Sequence, residues 1–270
     1  MDLGLKGRAC AVTGASRGIG REAARLLCAE GASVLLVARS ADALAEAAEE
    51  CGDAGAPLQG RAAPLALDVT APDAGERILA EASGRFGRLD VLVNNAGDSK
   101  QRDLDEVPDE DWRHAWELNV MAPLRAMRAA VPAMAERGWG RIVNVCSTSG
   151  KRPSANMPEY SVAKAAELSL SRLFADRYAA TGVLVNAICP GPTKSELWMG
   201  PGGLLDQSKE LSGYDTREEA LEAAGSKRPI GRLAEVGEIA GAIVFLCSER
   251  ASYVAGAAWS VDGGTVQVII

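Results

Sequence analysis

Two hydrophobic patterns alternate along this chain. Short, nearly unbroken apolar runs are followed by longer stretches whose apolar positions recur every three to four residues. The first pattern suits strands of a parallel sheet covered on both faces, and the second suits the helices that cover it. The apolar runs predict strands at Arg8–Thr13, Ser33–Ala38, Ala62–Leu67, Val91–Asn94, Ile142–Ser147, Val183–Cys189 and Ala257–Val261. Helical periodicity predicts Ile19–Glu30, Ala41–Cys51, Ala74–Phe86, Asp109–Arg137, Ser161–Ala180 and Val236–Ser248. Ser40 and Asp109 are placed to cap two of these helices. Strand and helix in strict alternation, joined by right-handed crossovers, give one α/β domain: a doubly wound parallel sheet of about seven strands with helices on both faces.

One segment breaks the rhythm. Residues 195–227 hold no strand pattern, and Gly200, Gly202, Gly203 and Gly213 are mixed with Trp198, Met199, Leu204 and Leu205. A long irregular insertion with that much apolar content is expected to be a lid over a site.

Composition narrows the partners. A net charge of −7, with no run of five basic residues, gives no footprint for nucleic acid or anionic membrane. No signal-peptide pattern precedes the first strand and no apolar stretch approaches the ~18 residues of a spanning helix, so a soluble, cytoplasmic protein is expected. The six cysteines lie far apart and form no C-x-x-C pair, which fits buried free thiols. His114 is the only histidine, which excludes most histidine-based metal sites and suits a surface position on a helix.

The turn "TGASRGIG" at 13–20 can be read in two ways. In one frame it is G-x-S-x-G, a nucleophile elbow presenting Ser16, as in a serine hydrolase. That reading needs a histidine partner, and it places the elbow after the first strand rather than a later one. In the other frame Gly14, Gly18 and Gly20 form a phosphate-binding turn, with the helix from Ile19 aiming its N-terminal amides at an anion. The second half of the chain adds Tyr160 and Lys164, four residues apart on one helix face. An ammonium beside a tyrosine favours the phenolate and makes it a usable acid–base group. Ser147, at a strand end thirteen residues earlier, is placed to bond a carbonyl beside it.

Together, "TGASRGIG", "NNAG" (94–97), Asn119, Ser147, "YSVAK" (160–164) and "CPGPTKS" (189–195) resemble the short-chain dehydrogenase/reductase family over nearly the whole chain. The tail "WSVDGG" (259–264) is similar to the branch that contains the 3-oxoacyl carrier-protein reductases. The resemblance implies a Rossmann-like fold and an NAD(P)-dependent oxidoreductase that interconverts a ketone or 3-oxo substrate and its secondary alcohol. It implies Tyr160 as general acid, Lys164 as the group that lowers its pKa and holds the ribose, Ser147 as the carbonyl's partner, and Asn119 as the anchor of a water relay in a kinked helix. Gly14, Ser16, Arg17, Gly18, Ile19 and Gly20 would take the pyrophosphate region, and Asp68 and Val69 the adenine. Asn95, Ala96 and Gly97 would line the cofactor's back, and Pro190, Gly191, Thr193 and Ser195 would meet the nicotinamide.

At the end of the second strand, where NAD-preferring members carry an acid, this chain has Ala38 and then Arg39. Arg39 with Arg17 would grip a 2′-phosphate, which makes NADP(H) the expected cofactor. A non-catalytic dinucleotide sensor on the same fold is the alternative, although it would not need Tyr160, Lys164 and Ser147 together. Gly138 and Thr181 stand where a carrier-protein reductase is expected to present basic charges, so a free small carbonyl or alcohol is at least as good a substrate. Lys151 and Arg152 are candidates for holding an anionic substrate group at the cleft mouth. A homotetramer is expected from the resemblance, from the apolar helices at 109–137 and 161–180, and from the closing "VQVII".

Overall fold

The structure, a computed structural model, describes residues 1–267. Among these, seven strands form one parallel sheet: β1 (Ala9–Thr13), β2 (Ser33–Ala38), β3 (Arg61–Ala66), β4 (Val91–Asn94), β5 (Gly140–Val145), β6 (Val183–Pro190) and β7 (Ala258–Val261). Around it lie α1 (Gly18–Ala29), α2 (Ala41–Gly55), α3 (Ala74–Phe86), α4 (Asp109–Trp116), α5 (Ala122–Glu136), α6 (Thr148–Lys151), α7 (Pro158–Tyr178), α8 (Glu196–Met199), α9 (Leu204–Ser212), α10 (Arg217–Ser226) and α11 (Val236–Cys247). The strand order is β3-β2-β1-β4-β5-β6-β7. The order reverses at β1, where Thr13 lies beside Val37 of β2 and Val12 beside Val93 of β4. Loops leaving β1 and β4 part there to opposite faces and open a crevice at the C-terminal edge of the sheet.

The unbroken apolar strands follow from burial on both faces. Cys10 and Val12 of β1 pack with Ala23 and Leu27 of α1 and with Ile239 and Ile243 of α11. Ala11, between them, points the other way, towards Ile78 of α3, Met127 of α5 and Ala175 of α7. All six cysteines are free and buried. Among the described residues, no helix is long and apolar enough to cross a membrane.

The strands fall within two residues of their predicted bounds. Three expectations need correction. The single helix over 109–137 is two helices joined by a π-helical turn, Glu117–Met121. Ala122 donates its N–H to Glu117, five residues back, and Pro123 has no N–H to offer Asn119 four residues back. Asp109 is not the cap of α4 but its first residue; Pro108 holds the cap position, and the Asp109 carboxylate pairs with Arg113 instead. The segment 195–227 is not irregular, because α8, α9 and α10 fill most of it. A capping box between Thr216 and Glu219 starts α10, and Gly213, at φ +70°, closes α9.

Candidate active site

The glycine turn leaves β1 at Thr13 and passes through Gly14 (φ +66°) and Gly18 (φ +57°), conformations that disfavour a side chain. Arg17, extended at the N-cap of α1, provides no side-chain cap, so the first amides of the helix are left for a ligand. Ser16, Arg17, Gly18 and Ile19 line the crevice. Gly20, expected in the same cradle, does not. A Cβ there would stand 2.3 Å from Asn95 Nδ2 and 2.4 Å from the Gly14 carbonyl, so Gly20 serves close packing behind the turn.

"NNAG" braces this turn from β4. Asn95 Nδ2 donates to the carbonyls of Thr13 (2.9 Å) and Gly14 (3.3 Å). Thr13 Oγ1 accepts the N–H groups of Asn95 (2.9 Å) and Ala96 (3.0 Å). Asn94 ties β4 to β5 through Asn144 at 2.8 Å. Asn95, Ala96 and Gly97 also line the crevice.

The crevice is a cleft of about 640 Å³. At its β2 end stand Arg39, Asp68 and Val69. Asp68 accepts the N–H and the hydroxyl of Thr70 at 2.9 and 2.8 Å, which hold its carboxyl below the usual range. Arg17 and Arg39 are exposed, and neither joins a salt bridge among the described residues. Across the cleft, Pro190, Gly191, Thr193 and Ser195 follow β6. The Gly191 N–H donates to Val261 at 3.0 Å, and Thr193 Oγ1 donates to the Gly191 carbonyl at 2.9 Å. Glu196, opening α8, reaches back over the glycine turn; its Oε2 lies 3.1 Å from where a Gly18 Cβ would be.

Ser147, Tyr160 and Lys164 share one wall of the cleft. Ser147 Oγ accepts the Ser149 N–H at 3.0 Å, and Ser147 lines the cleft beside Tyr160. The cap and the site residue are therefore the same side chain. Lys164 Nζ lies 5.6 Å from the centre of the Tyr160 ring and donates to the Val145 carbonyl (2.9 Å) and to Glu167 Oε2 (2.8 Å). Burial pushes the Tyr160 hydroxyl above its usual range; Lys164 pulls it down, the direction expected of it, without offsetting the burial. Lys164 is buried too, but the opposing charges of Glu167 and Tyr160 hold it protonated. Asn119 sits one layer behind the cleft in the π turn, 1% exposed. Its Nδ2 donates to Ala115 at 2.9 Å, while its buried Oδ1 has no protein partner and faces Gly97.

Other sequence expectations are redirected. Lys151 turns away from the cleft and donates to the Ala258 carbonyl (2.5 Å) and Ser260 Oγ (2.9 Å), and Arg152 does not line the cleft. Both are therefore absent from the anion-binding place considered for them. Trp198 lines the cleft as expected, but Met199 does not; Leu197 and Leu204 stand there with it. Ser16 makes no hydrogen bond to His114, whose Nε2 faces Asp98 at 3.2 Å, so the elbow reading lacks its base. Ser99, Ser149 and Met157, which no motif marked, also line the cleft, and the buried Ser99 hydroxyl has no protein partner.

Comparison with known proteins agrees with this geometry. The family model described as short chain dehydrogenase matches residues 8–201. A cis-4-hydroxycyclohexanecarboxylate dehydrogenase of Sinomonas cyclohexanicum is 38% identical, with 97% of each chain covered. The 3-oxoacyl-(acyl-carrier-protein) reductase FabG of Vibrio cholerae is 33% identical over 98% of this chain and 100% of its own. The crystal structure of L-sorbose reductase from Gluconobacter frateurii, complexed with NADPH and L-sorbose, is 36% identical over the whole of both chains, with a TM-score of 0.91.

Proposed function

This chain belongs to the short-chain dehydrogenases and is an oxidoreductase that interconverts a ketone and its secondary alcohol with NAD(P), and from that premise we propose that Tyr160 is its proton donor, NADP(H) its preferred cofactor and a neutral, hydroxylated ketone its substrate. The observation that carries the reading is the convergence of Ser147, Tyr160 and Lys164 on one wall of the cleft.

The residues present fit the dinucleotide. Uncapped amides open α1, glycines bring the backbone close, and Arg17 and Arg39 stand free where a 2′-phosphate would lie. The orphaned Asn119 Oδ1, buried near Lys164, suits a bound water in a proton path. When bound, the nicotinamide supplies the hydride. The chain's own groups do the rest. Tyr160 gives its proton to the carbonyl oxygen in reduction and takes it back in oxidation. Ser147 holds that oxygen: its Oγ accepts the Ser149 N–H through one lone pair, and the hydroxyl still has its one proton to donate to the carbonyl. Lys164 keeps a positive charge beneath the tyrosine and has one hydrogen left for the ribose side.

The substrate end supports a neutral ligand. Ser149 offers a hydroxyl, Trp198, Leu197 and Met157 offer apolar surface, and Asp98 and Glu196 add negative charge. His114 at the rim is taken by Asp98. A carboxylated or carrier-bound substrate, as the names of two relatives specify, finds no free cation there among the described residues. The test is kcat/KM with NADPH and NADH over a polyhydroxy ketone, a carboxylated cyclic ketone and a 3-oxoacyl thioester. Preference for either of the last two overturns the substrate assignment, and preference for NADH overturns the cofactor assignment.

A cytoplasmic homotetramer is part of the same proposal. Trp116 on α4 and Val162 and Leu173 on α7 are exposed, as are Tyr253 and Trp259 at the β7 edge, and apolar side chains so placed favour subunit contacts. Of the apolar tail, Val268, Ile269 and Ile270 lie outside the described residues. Light scattering that gives a monomer at micromolar concentration contradicts the assembly.

A further inference from the structure

Glu167 has no place in the chemistry above, yet it touches the centre of it. It lies one turn after Lys164 on α7, and its Oε2 accepts from Nζ at 2.8 Å with both residues only 2% exposed. A second hydrogen of Nζ goes to the Val145 carbonyl. An ammonium has three hydrogens, so the protein takes two and one remains for the cleft. Burying a carboxylate is costly unless it is paired, and an apolar side chain would fill the same space without that cost. Burial raises the Glu167 carboxyl and the Lys164 ammonium bonded to it pulls it down; what the paired Glu167 adds is charge.

We propose that Glu167 is a positioning residue that fixes Lys164 at the base of the cleft and offsets its charge, so that Tyr160 keeps its proton to higher pH than an unopposed lysine would allow. This rests on Tyr160 being the proton donor. The other groups around the pair do not supply the same effect. Cys146, at the end of β5, is a buried thiol beside Glu167, and burial pushes it well up and keeps it neutral. Cys189 of β6 is pushed up to about 11, also by burial. The π turn contributes uncharged Asn119, and Glu117 in that turn is already paired with Arg125. Tyr160 itself is raised by burial and by the Glu167 charge, against Lys164.

The proposal is tested on the ligand-free protein by ultraviolet titration of the phenolate, taking the difference between protein with Tyr160 and its Tyr160→Phe counterpart. This reads one tyrosine without any substrate. With Glu167 present, Tyr160 should ionise at a higher pH than without its charge. With Glu167→Gln, which keeps an acceptor but removes the charge, it should ionise lower by on the order of one pH unit. The alkaline limb of carbonyl reduction should shift down in parallel. Ionisation at the same pH in folded Glu167→Gln protein overturns the proposal. Should that variant not fold, Glu167→Met, which fills the space without a charge, takes its place, and an unchanged Tyr160 titration there overturns the proposal equally. A failed proton-donor assignment looks different: Tyr160→Phe would then retain turnover whatever the titration gives.

Discussion

Ser147 Oγ accepts the backbone N–H of Ser149 at 3.0 Å, and the same side chain lines the cleft with Tyr160. One oxygen thus caps α6 at the wall of the site. Ser147→Ala should lose both functions together. Removing a donor to a developing oxyanion is expected to lower kcat by about 10²–10³-fold. Losing the cap should cost about 1 kcal/mol of stability, read in denaturant unfolding. Lost stability with unchanged kcat would leave Ser147 as a cap and nothing more.

Tyr160→Phe removes only a hydroxyl. Turnover should fall by about 10²–10⁴-fold while NADPH affinity and unfolding midpoint hold. The pH dependence follows from the direction of the shift. A general acid works only while protonated, and burial raises the Tyr160 pKa, so reduction should persist through neutral pH and fade only in the alkaline range as oxidation rises. Reduction that dies away near neutral pH would contradict this.

Much of this was legible in the sequence, for physical reasons that particular residues show. Strands such as Val91–Asn94 are buried on both faces and read as unbroken apolar runs. Motif residues that must approach a ligand, such as Gly14 and Tyr160, carry constraints that spacing reveals. What was hidden depends on tertiary contacts. Lys151 is drawn to β7 by the Ala258 carbonyl, a partner far along the chain. Glu167 looks like an ordinary polar helix position until α7 is seen packed against β5 and β6. Gly20 matches a cradle by spacing, but only the structure shows Asn95 filling the space beside it. The helices in 195–227 did carry a local signal, the Thr216–Glu219 capping box, which the surrounding glycines masked.

Arg39 is exposed at the end of β2 and lines the cleft. Arg39→Asp sets a like charge against a 2′-phosphate in place of a charge-assisted bond. The ratio of kcat/KM for NADPH over NADH should fall at least about tenfold. An unchanged ratio would assign phosphate recognition elsewhere.

Glu196 reaches over the N-terminus of α1, where the pyrophosphate would sit. A carboxylate there opposes an anionic ligand in the field of the helix amides. Glu196→Gln should tighten NADPH binding by roughly threefold to tenfold, an effect that added salt would diminish. Equal affinity in both proteins would mean that the carboxylate swings clear when the cofactor enters.

Gln101 ties the β4–α4 loop to α9. Its Nε2 donates to the Leu204 carbonyl (2.9 Å) and to Ser208 Oγ (2.7 Å), and its backbone N–H donates to Gln207 Oε1 at 2.7 Å. Leu204 and Leu205 are buried beneath this link, and Leu204 also lines the cleft. α9 is thus tied to the loop after β4 by polar bonds next to two buried leucines. Elements secured this way open at lower free energy than the core. Gln101→Ala removes the two Nε2 bonds and leaves the dinucleotide end of the cleft untouched. Amide exchange should speed up across α9 and leave β1 and β4 unchanged, and KM for the carbonyl substrate should rise while NADPH affinity holds. Faster exchange with an unchanged KM would separate the latch from substrate closure. Unchanged exchange would show that Leu204 and Leu205 hold α9 without Gln101.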